Sequence, residues 1–156
     1  MNEMKILSID PSGTGTTGVY CSNLARPFTE FKNPNWKEHL AWLTKQIQTK
    51  KPELIVYEHT NYIHRRTKDG LHLFYLLGAI EGLAQPTEQV SVLAVKKLTK
   101  QLFVGTKQIE GISYQPGRGK GWMFEGKRIS LHQLEAYLVY HLWAGKNENT
   151  AKLPPK

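Results

Sequence analysis

The chain has 156 residues, 40% hydrophobic and 22% charged, the balance of one ordinary soluble domain able to bury a single core. Its 21 Lys and Arg against 13 Asp and Glu leave a net charge of +8, which points to a polyanionic partner and says nothing of the fold. No apolar run approaches the ~18 residues of a membrane span, and one cysteine, Cys21, is too few for a disulfide or a cysteine-based zinc site.

The N-terminus, Met1 to Lys5, leads into a strand with no signal-peptide core, so a cytoplasmic protein without membrane attachment is expected. Met4 to Asp10 reads as an apolar strand running into an acid. A Gly/Ser/Thr turn follows, then a second strand, Thr17 to Cys21, in hairpin relation to the first. Phe28 to Phe31 makes a short third strand. From Trp36 the residues Leu40, Leu43 and Ile47 recur at helical spacing, and Pro52 ends that helix near Lys50. Leu54 to Glu58 is a β-rich run that again finishes on an acid. After a polar, basic loop from His59 to Asp69 come an apolar helix, Leu71 to Ala84, a strand, Gln89 to Leu93, and a short helix, Val95 to Phe103. Gly105 to Lys127 holds six glycines and reads as loop or mobile structure. Ser130 to Trp143 is the last helix.

Three strands joined by short turns, then strands alternating with helices, predict an α/β fold: a mixed five-stranded sheet with helices on both faces. One domain over 1–145 is expected, with 146–156 as a flexible tail.

The charge is unevenly placed. Residues 96–128 carry eight cationic side chains against Glu110 and Glu125, and so supply +6 of the +8. Within it Lys96, Lys97, Lys100, Lys107, Arg118 and Lys120 are candidate contacts to a nucleic-acid backbone. The loop after Glu58 adds Arg65, Arg66 and Lys68, and Tyr62 there is a candidate to stack on an unpaired base. Taken singly, such lysines are ordinary solvated side chains.

Asp10 and Glu58 each end a strand, where open α/β sheets place their sites, and neighbouring strand ends converge. His132 and Glu135, three apart, share one face of the last helix. Three acids and a histidine without thiolate suit hard divalent cations, Mg²⁺ or Mn²⁺. A pair of such ions ~4 Å apart would activate water for phosphodiester hydrolysis. Each acid alone would serve equally as a cap or salt-bridge partner; the combination with a basic segment is what suggests a nuclease.

Ile6-Leu7-Ser8-Ile9-Asp10-Pro11-Ser12-Gly13, followed by Thr17-Gly18-Val19, resembles the opening motif of RuvC-type Holliday junction resolvases in the RNase H-like superfamily. Ile55-Val56-Tyr57-Glu58 resembles their second motif, and His132-Gln133-Leu134-Glu135-Ala136-Tyr137 their last. Order and spacing agree over most of residues 4 to 143. The short, divergent form is compatible with a phage or mobile-element source.

The resemblance implies an RNase H-like fold, a homodimer, and Mg²⁺-dependent cutting of four-way or other branched DNA. It implies that Asp10, Glu58 and Glu135 are metal ligands and that His132 is a ligand or positions the attacking water. It places the dimer contact on helix 71–84, through Leu71, Phe74, Leu77, Gly78 and Glu81; burial of that face within one chain is the equal alternative.

This chain departs from the family in having Glu135 where the family usually has Asp, and in its glycine- and aromatic-rich segment before the last helix. The family's catalytic lysine therefore falls on Lys107, or on Lys96 or Lys97. Rival readings are an actin-like ATPase, which needs two such domains, an RNase H-like nuclease acting on RNA, and a non-catalytic DNA-binding module.

Overall fold

The computed structural model of the chain describes residues 4–60 and 67–151. Its elements are β1 (Ile6–Asp10), β2 (Thr16–Cys21), β3 (Phe28–Lys32), α1 (Trp36–Lys50), β4 (Leu54–His59), α2 (Lys68–Glu81), β5 (Thr87–Ser91), α3 (Val92–Val104), β6 (Ile112–Gln115), β7 (Gly121–Phe124), β8 (Lys127–Ile129) and α4 (Leu131–Ala151). The main sheet has five strands in the order β3-β2-β1-β4-β5. β1, β4 and β5 pair in parallel, and β2 runs antiparallel to both of its neighbours, β1 and β3, which is the expected mixed sheet.

Alternation along the central strands divides the interior into two layers. Leu7 and Ile9 of β1 and Ile55 and Tyr57 of β4 pack with Leu43 and Ile47 of α1 and Leu76, Leu77 and Ile80 of α2. Their neighbours Ile6, Leu54 and Val56 face the other way, onto Val95 and Leu98 of α3 and Leu134, Leu138 and Val139 of α4. Asp10 and Glu58 continue this second set, so period two alone aims both acids at the α3/α4 side.

The helix ends follow local chemistry. Asn35 caps α1 by accepting from Lys37 N, and Lys51 closes it in the left-handed region at φ 51°. Thr67 caps α2 and Ser91 caps α3. α2 starts upstream of Leu71 because its first turn carries Lys68, Asp69 and Gly70, which apolar spacing does not register. α3 starts at Val92 because the strand expected over Gln89 to Leu93 instead spans Thr87–Ser91, leaving the apolar Val92 and Leu93 to the helix.

Two expectations need correction. Gly105 to Lys127 is not a loop: it carries β6, β7 and part of β8, a three-stranded antiparallel sheet. Trp122 and Ile129 are buried in the α3/α4 layer, with Ile112, Tyr114 and Phe124 packed against it. The glycines occupy its turns; Gly111, Gly117, Gly119 and Gly126 all have φ between 71° and 87°. Secondly, α4 continues past Trp143 to Ala151.

On α2, Leu77 is buried in the chain's own core and so lies outside any contact surface there. Phe74, Gly78 and Glu81 are exposed, as is Tyr75. Among the described residues no helix is long and apolar enough to cross a membrane.

Candidate metal centre

The parallel register pairs Ile9 with Tyr57, which brings Asp10 and Glu58 level on adjacent strands. On the other side Asp10 pairs with Gly18 of β2. A Cβ on residue 18 would overlap the His132 carbonyl, with the carbonyl carbon only 2.5 Å away and Gln133 N at 3.1 Å. Glycine at this position therefore lets the first turn of α4 rest directly on the sheet. One turn further on, Ser8 Oγ donates to the Ala136 carbonyl at 2.7 Å. These two contacts hold Glu135 over the strand ends.

The result is a cluster of three carboxylates, Asp10, Glu58 and Glu135, each offering an oxygen within 4.8 Å of the others. Their exposures are 7%, 9% and 3%, far below what free carboxylates tolerate without partners. Burial, together with the charges of Asp10 and Glu135, pushes the Glu58 carboxyl up to about 8. Burial also raises Glu135, against the opposing pull of Lys96. One oxygen of Glu58, Oε2, is buried without a hydrogen-bond partner. An all-oxygen set with a bare buried acceptor fits a hard divalent cation such as Mg²⁺ or Mn²⁺.

Two basic groups border the cluster. His132 Nδ1 lies 3.3 Å from Asp10 Oδ2, and that hydrogen bond holds the imidazole pKa above its usual value despite partial burial. Lys96 Nζ donates to both oxygens of Glu135, at 2.7 and 2.9 Å. Burial pulls the Lys96 ammonium down, but Glu135 outweighs it and the net shift is upward.

Among the candidates, the fold thus brings together Asp10, Glu58, Glu135, His132 and Lys96. It does not bring Lys107 to the acids. That residue is exposed in the turn after α3, its backbone N–H donating to the Gln101 carbonyl, beside Ile109, Tyr114 and Trp122. Of Lys96, Lys97 and Lys107, the three lysines open in the sequence, Lys96 is the one hydrogen-bonded to a carboxylate of the cluster. Lys97 and Lys100 are exposed on α3, Lys68 is exposed in the first turn of α2, and Arg118 and Lys120 are exposed in the β6–β7 turn. Tyr62, Arg65 and Arg66 lie outside the described residues.

Sequence reasoning missed His39. It continues the buried stripe of Leu43 and Ile47 on α1 at four-residue spacing, a polar residue on an apolar face, and it is fully buried. Its Nε2 lies 2.7 Å from the Asn33 carbonyl and its Nδ1 lies 2.8 Å from Thr17 Oγ1. Thr17 Oγ1 in turn accepts from Ser12 N at 3.0 Å and donates to the Ser12 carbonyl at 3.1 Å. The chain from α1 through Thr17 therefore pins the turn that follows Asp10.

Solved structures share this architecture, two RuvC structures among them. T. thermophilus RuvC in complex with a Holliday junction substrate superposes with a TM-score of 0.53 at 17% identity, covering 92% of this chain and 96% of that one. A second Thermus thermophilus RuvC structure gives 0.50 at 17% identity, covering 92% and 97%. The fold is RuvC-like. At this identity the likeness speaks for the fold alone. No family model matches the chain, and no curated protein matches it in sequence.

Proposed function

We propose that this RuvC-like chain is a divalent-metal-dependent endonuclease that cuts four-way or other branched DNA. The observation that carries the reading is the buried Asp10–Glu58–Glu135 cluster with its unpartnered Glu58 oxygen, a site whose mutual repulsion asks for a cation. The RuvC-like fold and the basic balance of the chain support it.

Asp10, Glu58 and Glu135 would hold Mg²⁺ or Mn²⁺, two ions in the full site. Ions bound there would supply an activated water and a counter-charge for the phosphate under attack. His132, tied to Asp10, orients that water or binds a metal beside it. Lys96, which contacts Glu135 in the metal-free chain, would be free to bind phosphate oxygens with the carboxylates held by a cation. Lys97, Lys100 and Lys68 are exposed cations that hold the backbone leading to the acids. Symmetric cutting needs two sites, and a homodimer through the exposed Phe74, Tyr75 and Gly78 of α2 would provide them.

The test is cleavage of a synthetic four-way junction with Mg²⁺ or Mn²⁺, beside linear duplex DNA and structured RNA of equal length. Nicks in the junction that vanish in Asp10→Asn and Glu58→Gln, with junction binding nearly intact, are the expected result. Cleavage by Asp10→Asn at the parent rate overturns the mechanism. Cutting of the RNA alone would make the chain an RNA nuclease, and binding with no cutting under any metal would make it a non-catalytic module.

A further inference from the structure

The three-stranded β6–β7–β8 sheet packs one face inward, so the pleat must turn the other outward. Tyr114 and Trp122 are cross-strand partners on the inner face, and Trp122 pairs onward with Ile129. The intervening pairs Ser113 with Met123 and Met123 with Arg128 therefore face out, and Gln115 with Gly121 continues that face toward the turn. This outer face carries no carboxylate.

Its charge gathers at one end. The β6–β7 turn, 116–120, is exposed throughout and contains Arg118 and Lys120 between glycines. Gly117 and Gly119 take φ 83° and 71°, and Lys120 N donates to the Gly117 carbonyl at 3.0 Å, which shapes a tight tip without bulk. Arg128 reaches this tip from β8: a Cβ added at Gly119 would lie 3.4 Å from its Nη2, and one at Gly121 would lie 3.7 Å from its Cζ. The guanidinium thus lies over the bare glycine backbone. The nearest acid in sequence, Glu125, sits at the opposite end of the ribbon, where its N–H donates to the Gly111 carbonyl at 2.7 Å.

A short path joins the tip to the helix that carries Glu135. Ile129 pairs with Trp122, next to Gly121, and three residues later the chain reaches His132. Covalent and pairing distances bound Gly121 to within about 20 Å of His132. That is less than one turn, about 34 Å, of a duplex seated on the acids.

We propose that the β6–β7 tip, with Arg118, Lys120 and Arg128, is a second backbone-binding site that seats a duplex arm of the DNA beside the carboxylate cluster. It rests on the nuclease reading for its partner. Guanidinium groups engage phosphate oxygens in bidentate fashion, and glycines at the tip let a backbone approach closely. A ribbon of this width also enters a major groove. The site fixes where the arm lies and takes no part in hydrolysis.

The experiment measures binding of the metal-free full chain to a fluorescent four-way junction and to linear duplex between 50 and 300 mM salt. Arg118→Ala/Lys120→Ala should weaken both by about tenfold or more at the lower salt and reduce the slope of log K against log salt by about 2. Arg128→Lys, which keeps the charge but loses the planar fork, should weaken binding with little change in slope. Lys37→Ala/Lys45→Ala removes the same charge from exposed positions on α1, across the sheet, and should leave the slope unchanged. Parent-like affinity and slope in Arg118→Ala/Lys120→Ala overturn the inference, as does equal loss in the α1 pair. Tip-dependent binding by a chain that cuts nothing would sink the nuclease reading and keep this one; cutting with a tip-independent slope would do the reverse.

Discussion

Gly18 and His132 meet backbone to backbone: the first turn of α4 occupies the space where any side chain at position 18 would stand. Gly18 also pairs with Asp10, so one missing side chain sets the height of the Glu135 helix above the Asp10 strand. Gly18→Ala should therefore lift α4. We expect a stability loss of about 1–3 kcal/mol, typical of overpacking, and at least a tenfold loss of junction cleavage. Retained activity with normal thermal stability would show that α4 does not depend on this approach.

The carboxylate cluster predicts a pH dependence of the metal-free protein. Glu58 sits at about 8 in the folded chain, above its unfolded value, so its contribution to stability is greatest below the unfolded pKa and is lost as pH rises through the folded one. The metal-free melting temperature should fall between about pH 5 and pH 9. Mg²⁺ or Mn²⁺ binds the ionised form and should raise it most at the alkaline end. Glu58→Gln should flatten the pH profile and abolish the metal effect, all readable by thermal melts.

Lys96 should show opposed effects on metal and on catalysis. Its ammonium occupies both oxygens of Glu135 in the metal-free chain. Lys96→Met removes this competitor, so Mn²⁺ affinity, followed by calorimetry, should rise a few-fold while cleavage at saturating metal falls by about 10²-fold, the scale of a lost charge contact at a reacting phosphate. A fall in both would place Lys96 among the groups that build the site instead.

His39 is expected to act through the turn after Asp10. Removing it takes the His39 ring from the Asn33 carbonyl and from Thr17 Oγ1, which keeps only its bonds to Ser12, a loss of about 1–3 kcal/mol. His39→Ala should lower stability and raise the Mg²⁺ concentration needed for half-maximal cleavage, with kcat at saturating Mg²⁺ less affected. His39→Gln, able to keep one of the two hydrogen bonds, should recover part of the metal affinity. Equal loss of stability in both variants with unchanged Mg²⁺ dependence would make His39 purely structural.

Most of the main sheet was legible because β1 and β4 are short apolar runs that end on acids, and α1 because Leu40, Leu43 and Ile47 repeat at helical spacing; the polar β5 was placed two residues late. The strand-end positions of Asp10 and Glu58 and the shared face of His132 and Glu135 were legible for the same reason: periodicity is local. The small sheet was not. Its strands are only three or four residues long, and glycines interrupt the sequence before and between them, so no run is long enough for alternation to show.

By itself, then, the sequence determined which acids end strands, which residues share a helix face, and where the positive charge is concentrated. Only the tertiary structure decided which of these meet. Convergence of Glu135 on Asp10 and Glu58 depends on α4 settling over Gly18, a contact between residues more than a hundred positions apart. That Lys96 meets Glu135 likewise follows from how α3 lies against α4. Local patterns are set by backbone periodicity and side-chain polarity, which neighbours in sequence share; distances across the core are set by close packing, which they do not.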